Sequence, residues 1–337
     1  MRDSDGRPLV DLYDLTMLDL DGVVYVGDRA VPGAAGHLAD VRRAGAHVAF
    51  VTNNASRSPA AVAEKLTDLG VAAEPGDVVT SSQAAAHLLL EQHGAGATVA
   101  VLGAAGLREA LEEAGLAPTV VDDDAAVALV TGFGPDVVWH EVMHAAVRIR
   151  GGLPWVASNA DLTFPSSIGL APGHGALVGL LSRFADVEPV VAGKPQRPLL
   201  DETVRRVGGE RPLMVGDRLD TDIEGAHEAG VDSLLVLTGV TGLAELVAAP
   251  ARHRPTFLAP DLAGLLSAHP SPARDDGTWR CGGWGVEVSG GRLDVRGDGD
   301  DADWWRVVAA AAWEHLDTAG TPVDAGGLVP PEQAREG

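Results

Sequence analysis

The chain has 337 residues, a length that suits two or three domains. Its 48 acidic and 25 basic residues give a net charge of −23, which disfavours nucleic acid and anionic membrane surfaces as partners. A single cysteine excludes an internal disulfide, and no apolar run approaches the ~18 residues of a membrane helix. The charged first residues lack the apolar core of a signal peptide, so we expect a cytoplasmic protein.

Apolar strand patterns alternate with helix patterns from the beginning of the chain. Residues 15–20 and 47–52 are typical of buried strands, and residues 33–45 and 59–69 are typical of helices. A second series follows after residue 76, and a third begins at residue 190. The second series has helices at 82–93, 106–114, 137–150 and 176–184 and strands at 98–102, 127–133 and 155–158; the third has helices at 198–208 and 222–229 and strands at 213–215 and 233–237. This alternation predicts an α/β protein with parallel sheets and right-handed crossovers.

The distance between two polar segments predicts an inserted domain. Asn54 and Lys194 are 140 positions apart, whereas a minimal strand–helix–strand crossover needs ~30 residues. We predict four parts: a core formed by 1–76 and 188–268, an inserted α/β cap at 77–187, and a C-terminal extension at 269–337. In the extension, 269–277 is predicted to be a linker, 285–296 a hairpin and 303–318 a helix, followed by a tail rich in Pro, Gly and Glu.

Paired aspartates follow two of the predicted strands. Asp19 and Asp21 lie two residues apart after strand 15–20, and in an extended strand such side chains share a face. Asp217 and Asp222 follow strand 213–215. If the two strands are neighbours, three or four of these carboxylates converge and repel one another. A hard divalent cation such as Mg²⁺ would relieve the repulsion, since it prefers oxygen ligands.

Two further segments add groups suited to a phosphate. The segment 51–58 (VTNNASRS) is rich in small polar side chains, and Lys194 lies between Gly193 and Pro195 in a chain whose only other lysine is Lys65. Ammonium, hydroxyl and amide groups bind phosphoryl oxygens. Together with the aspartates, they predict a site for a phosphate and a divalent cation.

Four motifs in this order resemble those of the haloacid dehalogenase superfamily of phosphohydrolases, over residues 14–266. They are Asp-x-Asp-Gly at 19–22, Thr-Asn-Asn at 52–54, Lys194, and Gly-Asp-x-x-x-x-Asp at 216–222. The long insertion, with Asn-x-Asp at 159–161 and Pro-Gly-x-Gly at 172–175, is similar to the capped subgroup of nitrophenylphosphatases, phosphoglycolate phosphatases and ribonucleotide monophosphatases. The resemblance implies a Rossmann-like parallel-sheet core with an inserted α/β cap and, here, a small α+β C-terminal extension.

Within that subgroup, residues 51–58, 78–89 and 215–226 are most similar to mycobacterial glycerol-3-phosphate phosphatases. Members of that branch carry an extension similar to part of an acetyltransferase fold. The extension of this chain lacks the Gly-rich loop that acetyl-CoA binding needs, so we expect a non-catalytic role for it.

The resemblance assigns a role to each motif residue. Asp19 is the implied nucleophile, which forms an aspartyl-phosphate and also binds Mg²⁺. Asp21 is the implied general acid and then base, with its backbone carbonyl on Mg²⁺. Asp217 is an implied direct Mg²⁺ ligand, and Asp222 a ligand through water. The implied phosphate-binding groups are Thr52, the Asn53 N–H and Lys194, and the implied substrate or orienting residues are Asn54, Asn159, Asp161, His174 and Arg218.

These roles predict a Mg²⁺-dependent phosphomonoesterase for a small phosphorylated metabolite, with glycerol 3-phosphate preferred and phosphoglycolate or a nucleotide monophosphate as alternatives. A phosphomutase stays open, as does a phosphate-binding regulator without turnover, although a regulator would not need the acid and base Asp21. A dehalogenase is disfavoured because it needs no metal. We expect no nucleic-acid or membrane partner and leave a homo-oligomer open.

One further motif is typical of a different function, that of a zinc peptidase. His140-Glu141-Val142-Met143-His144 matches a zinc-peptidase pattern on a predicted helix. No Glu follows until Glu188, the continuation typical of metzincins is missing, and the segment lies in the predicted inserted domain. We therefore interpret this segment as an ordinary helix.

Overall fold

The computed structural model describes residues 1–166 and 169–331. The chain forms two compact units, the first of Met1–Val48 with Gly209–Gly337 and the second of Ala49–Gly208. The boundaries of these units, at residues 48/49 and 208/209, differ from the boundaries that the sequence predicts for the core, cap and extension. The four-part domain division therefore stays a prediction. Residues 332–337 of the predicted tail lie outside the described residues.

The strands are β1 Leu15–Leu18, β2 Tyr25–Val26, β3 Arg29–Ala30, β4 His47–Thr52, β5 Val78–Thr80, β6 Thr98–Leu102, β7 Ala117–Thr119, β8 Ala128–Thr131, β9 Trp155–Ala157, β10 Thr163–Ser166, β11 Gly169–Pro172, β12 Val190–Val191, β13 Pro212–Gly216, β14 Asp232–Val236, β15 Phe257–Ala259, β16 Ala273–Asp275, β17 Thr278–Cys281, β18 Trp284–Ser289 and β19 Arg292–Gly297. The helices are α1 Ala34–Arg43, α2 Pro59–Asp68, α3 Ser81–His93, α4 Ala105–Glu113, α5 Trp139–Arg150, α6 His174–Ala185, α7 Pro198–Val207, α8 Glu224–Ala229, α9 Leu243–Val247 and α10 Asp301–Ala319. None of the helices in the described ranges is long and apolar enough to cross a membrane.

In the first unit, β15, β14, β13 and β1 are parallel neighbours in that order. The four residues of β1 are all buried, as expected of a strand covered on both faces. Leu18 at the end of β1 lies opposite Val215 on β13. The two strands are therefore neighbours, which is the condition for the aspartates to converge, and the residues that follow them start at the same edge of the sheet.

The chain after β13 does not enter an α-helix directly. Leu219–Ile223 forms a π-helical turn, and α8 begins only at Glu224. The sequence predicted a helix from residue 222. π-Helical turns are rare and occur often at functional sites, and this one follows β13 and contains Asp222.

The C-terminal part of the first unit contains an antiparallel sheet, β16 to β19, and the long helix α10. The linker predicted at 269–277 is wrong, because Ala273–Asp275 pairs with β17 and His269 is buried. The side chains of β16 are all exposed, so backbone pairing forms this strand without any apolar alternation in the sequence. The predicted hairpin is present, and its turn is made by Gly290 and Gly291, both with positive φ.

Helix α10 packs into the core of the first unit. Three tryptophans of α10 are buried in one cluster with leucines of β14 and β15: Trp304, Trp305, Trp313, Leu235 and Leu258. Each large aromatic side chain can bury ~150–250 Å², so this helix contributes much of the apolar contact that stabilises the unit.

In the second unit, a fully parallel sheet has the order β12-β9-β8-β6-β7, and β4 pairs in parallel with β5. The antiparallel pair β10 and β11 interrupts the strand–helix alternation before α6. Helix α3 begins with a capping box, in which the Thr80 hydroxyl accepts from the Gln83 N–H and the Gln83 side chain accepts from the Thr80 N–H. Parallel sheets with crossover helices confirm the predicted α/β class.

Candidate active site

Three aspartates of the first unit bring their carboxylates together. One oxygen from each of Asp19, Asp217 and Asp222 lies within 4.8 Å of the other two. Asp217 and Asp222 are buried, and Asp19 is half-buried. Like charges at this separation repel strongly in a partly desolvated site, and oxygen donors of this kind fit a hard divalent cation. In the described parts of the chain, no other group of three or more His, Cys, Asp or Glu residues converges in this way.

Asp217 is held by a loop that follows β14. Its Oδ2 accepts a 2.6 Å hydrogen bond from the Val240 N–H. A Cβ atom added to Gly22 or Gly239 would lie 2.3 or 2.0 Å from that oxygen, so only glycine fits at either position. The Thr238 hydroxyl donates to the Gly22 carbonyl at 2.5 Å and ties the loop to the turn after β1.

The sequence interpretation missed this loop, residues 238–242 (TGVTG). The signal was a run of Gly and Thr directly after a strand of the same parallel sheet. Loops at the carboxyl ends of such strands build the ligand sites of α/β proteins.

Asp222 lies on the π-helical turn. Its Oδ2 accepts from the Arg218 N–H at 3.1 Å, and a Cβ atom on Gly216 would lie 2.3 Å from its Cγ. The Arg218 guanidinium donates to Asp220 at 3.1 and 2.9 Å. Burial raises the pKa of Asp220, but the hydrogen bonds and charge of Arg218 outweigh it and hold the pKa below its ordinary value. The substrate-orienting role predicted for Arg218 stays a prediction.

Asp21 is not one of the three residues whose carboxylates converge. It is exposed, and its carboxylate is not part of the group described above. The turn after β1 is closed by the Gly22 N–H, which donates to the Tyr25 carbonyl at 2.8 Å. An exposed carboxylate two residues from Asp19 is accessible for proton transfer; this role and the contact predicted for its backbone carbonyl stay predictions.

The remaining predicted residues belong to the second unit, where several of them form hydrogen bonds with Asn53. Its side-chain amide pairs with the backbone of Lys194: the Lys194 N–H donates to Asn53 Oδ1 at 2.8 Å, and Asn53 Nδ2 donates to the Lys194 carbonyl at 3.0 Å. Asn53 Nδ2 also lies 3.2 Å from Asp161 Oδ1. Lys194 is 2% exposed, so this amide fixes the backbone of a buried cation.

Asn159 and His174 support Asn53 in turn. Asn159 Nδ2 donates to the Asn53 carbonyl at 2.7 Å, and Asn159 Oδ1 accepts from the Asp161 N–H at 3.2 Å. His174 Nδ1 lies 2.8 Å from the Asn159 carbonyl. A carbonyl only accepts, so Nδ1 carries the proton. Burial lowers the pKa of His174 to about 4, although the hydrogen bond to Asn159 opposes the shift, so the ring is neutral near pH 7.

The loop after β4 is fixed by short hydrogen bonds. Thr52 Oγ1 accepts from the Asn54 N–H at 3.1 Å, and Asn54 Oδ1 accepts from the Ser56 N–H at 2.9 Å. Two serines that the sequence interpretation missed hold the loop from α3: Ser81 donates to the Asn53 carbonyl at 2.7 Å and Ser82 to the Ala55 carbonyl at 2.9 Å. Their signal was a run of small polar residues at a helix start.

The zinc-peptidase pattern forms no metal group in the described residues. The ring centroids of His140 and His144 are 6.1 Å apart, and His144 Nδ1 pairs with Asp122. Both histidines lie on α5 outside the group of converging carboxylates.

Three family models match parts of the chain. A model described as haloacid dehalogenase-like hydrolase matches residues 16–117, and a HAD-hydrolase-like model matches residues 191–265. A model described as GCN5-related N-acetyltransferase like domain matches residues 281–329, within the predicted extension.

Named relatives cover most of the chain. A D-glycerol 3-phosphate phosphatase of Mycobacterium tuberculosis is 41% identical over 91% of this chain and 88% of its own length. A 5′-nucleotidase of Bacillus subtilis is 35% identical over 68% of this chain and 89% of its own length. The crystal structure of the M. tuberculosis glycerol phosphate phosphatase in complex with magnesium superposes with a TM-score of 0.83 at 40% identity, covering 91% of this chain and 92% of that one.

Proposed function

Because the chain belongs to the haloacid dehalogenase-like hydrolases, we propose that it is a Mg²⁺-dependent phosphomonoesterase with glycerol 3-phosphate as its substrate. The observation that carries the proposal is the convergence of Asp19, Asp217 and Asp222 within 4.8 Å. Three carboxylates, two of them buried, are a donor set suited to Mg²⁺. The relative named as a glycerol 3-phosphate phosphatase supports the substrate.

The proposed reaction has two steps, both at phosphorus. In the first, an Asp19 carboxylate oxygen attacks the phosphorus, the bond to the glycerol oxygen breaks, and Asp21 gives its proton to that oxygen. In the second, the Asp21 carboxylate takes a proton from water, which attacks the aspartyl-phosphate. The bond between phosphorus and the Asp19 oxygen then breaks, so orthophosphate leaves and Asp19 is restored.

The other motif residues would bind Mg²⁺ and the phosphoryl group and neutralise the charge of that group. Asp19, Asp217 and Asp222 would hold Mg²⁺, with Asp21 adding its backbone carbonyl. The bound ion supplies charge neutralisation and polarises the phosphoryl oxygens. The Thr52 hydroxyl, the Asn53 N–H and the Lys194 ammonium would bind those oxygens and stabilise the charge that develops on them.

A second candidate function is hydrolysis of a nucleotide monophosphate, which the Bacillus subtilis 5′-nucleotidase favours. A regulator that binds phosphate without turnover fits less well, because binding alone gives no use to a proton donor such as Asp21. Phosphoglycolate is the remaining small substrate to compare.

The test is phosphate release by the purified protein from glycerol 3-phosphate, phosphoglycolate and a nucleoside monophosphate, each with Mg²⁺ and with EDTA. We expect Mg²⁺-dependent release with the highest kcat/KM on glycerol 3-phosphate. A higher kcat/KM on the nucleotide would replace the substrate assignment. Binding of these compounds without any release would support the regulator and contradict the enzyme.

A further inference from the structure

We propose that Asn53, Asn159 and His174 form a positioning relay that sets the place of Lys194, and that none of the three side chains needs to contact the substrate. The inference rests on the proposed function, since it takes Lys194 as the phosphate-binding cation. The path runs from His174 Nδ1 to the Asn159 carbonyl, from Asn159 Nδ2 to the Asn53 carbonyl, and from the Asn53 amide to the Lys194 backbone.

The last link is the most constrained. The Asn53 amide satisfies the Lys194 N–H and carbonyl together, as a neighbouring strand would do. A Cβ atom on Gly193 would lie 2.6 Å from Asn53 Oδ1, so the backbone before Lys194 closes directly onto the amide. A lysine side chain carries its ammonium on a flexible stem of four methylene carbons. The ammonium can therefore be held in one place only if the backbone that carries the stem is fixed. A misplacement of ~1 Å at a reacting centre can cost ~100-fold in rate.

The first link depends on one atom of His174. The ring is 3% exposed and donates through Nδ1. Among the described residues, no group forms a hydrogen bond with its Nε2. Asparagine places an amide nitrogen close to the position of Nδ1, whereas glutamine places it near Nε2. The relay therefore predicts that asparagine can replace His174 and that glutamine cannot.

A second buried histidine provides a matched control. His269 of the first unit is 1% exposed, and burial together with Arg306 lowers its pKa to about 4, as burial does for His174. Its ring contacts the Gly264 carbonyl and Arg306, and it has no hydrogen bond to the relay among those of the described residues. Replacing it removes a comparable buried imidazole without touching Lys194.

The experiment compares full-length His174→Leu, His174→Asn, His174→Gln and His269→Leu. The first readout is the inhibition constant of orthophosphate, because an inhibition constant does not depend on the fraction of protein that is folded. We expect His174→Leu and His174→Gln to raise it about 10-fold and to lower kcat by a similar factor. His174→Asn and His269→Leu should stay within about 3-fold of the unchanged protein.

The second readout is calorimetric binding of orthophosphate to the Mg²⁺-loaded protein, which needs no turnover. If the unchanged protein hydrolyses no phosphomonoester, the proposed function fails, and the calorimetric series still tests the relay. An unchanged orthophosphate affinity in folded His174→Leu would overturn the relay. Equal losses in His174→Asn and His174→Leu, or in His269→Leu, would overturn it as well, because they would show general destabilisation.

Discussion

The carboxylate of Asp217 has almost no room to move. It lies against Gly22 and Gly239, and its Oδ2 accepts from the Val240 N–H at 2.6 Å. A carboxylate held in this way keeps its place whether or not a cation is bound, which reduces the cost of assembling a metal site. The glycines are thus as important to the proposed site as the aspartates.

Replacing Gly239 by alanine tests whether the glycines are needed to hold the Asp217 carboxylate in place. The added Cβ atom would lie 2.0 Å from Asp217 Oδ2, so Asp217 must shift. We expect the Mg²⁺ concentration for half-maximal activity to rise by about 10-fold or more, the loss typical of disturbed metal-site support. The measurement is a Mg²⁺ titration of phosphate release.

Gly36→Ala is the control, since Gly36 lies in α1 with no atom within 4 Å of an added Cβ. It should leave the Mg²⁺ titration unchanged and add up to ~1 kcal/mol of stability through helix propensity. A normal Mg²⁺ requirement in Gly239→Ala would show that close packing of the two glycines against Asp217 does not affect metal binding.

At the scale of elements, helix α10 is joined to the core by a buried polar network as well as by its tryptophans. Arg306 donates to the Leu258 carbonyl at 3.1 Å, to Asp303 at 2.8 Å and to His269 Nδ1 at 3.1 Å. His269 Nε2 contacts the Gly264 carbonyl at 2.8 Å. The neutral ring therefore donates through Nε2 and accepts at Nδ1, and a second proton would oppose the guanidinium.

Two buried histidines, His269 of this network and His174 of the second unit, predict that stability falls on acidification. Burial, with the Arg306 charge, lowers the pKa of His269 to about 4 from 6.5, and burial lowers that of His174 to about 4. Between these values the unfolded chain binds protons that the folded chain does not, so the free energy of unfolding decreases as the pH falls from 6.5 towards 4. We expect a loss of about 1.3 kcal/mol per histidine between about pH 7.5 and about pH 5.5.

Urea unfolding of the full-length chain at these two pH values measures the effect, with His269→Gln as the comparison. Glutamine can still donate to the Gly264 carbonyl but does not titrate. The free energy of unfolding of His269→Gln should therefore change less with pH than that of the unchanged protein. The same pH dependence in both proteins would exclude His269 as a source.

The sequence predicts those elements whose signal is local. Strand β4 and helix α2 were placed to within one residue, since an apolar run and a Ser58-Pro59 helix start specify them. The convergence of Asp19 with Asp217 could be anticipated because strand ends and motif spacing are visible in the sequence. Strand β16 could not be predicted, because only pairing with β17 makes it a strand. The loop that holds Asp217 and the Asn53–Lys194 pairing join residues far apart in the sequence, so only the fold reveals them.

At the scale of the whole molecule, the net charge of −23 opposes the approach of an anionic substrate. A phosphomonoester must therefore meet local positive charge, and Lys194, one of only two lysines in this sequence, is the motif residue that would supply it. A divalent cation at the three aspartates would provide the rest. The proposed reaction should depend on that cation absolutely.

Metal exchange tests this dependence. EDTA should stop phosphate release, and added Mg²⁺ should restore it. Ca²⁺ should inhibit, because its larger radius and higher coordination number favour bidentate carboxylate binding, which would occupy the attacking oxygen of Asp19. The measurement is the rate with Mg²⁺ alone, Ca²⁺ alone and both together. Full activity in EDTA would point to a metal-free reaction.

The most direct test of the proposed mechanism is whether the phosphoryl group of glycerol 3-phosphate is transferred to Asp19. The reaction is stopped with acid during turnover, and the mass of the peptide that contains Asp19 is measured in the unchanged protein and in Asp19→Asn. We predict that this peptide gains one phosphoryl group only in the unchanged protein, and only with Mg²⁺ present. Phosphate release by Asp19→Asn at a comparable rate, or a phosphoryl group on another residue, would contradict the account.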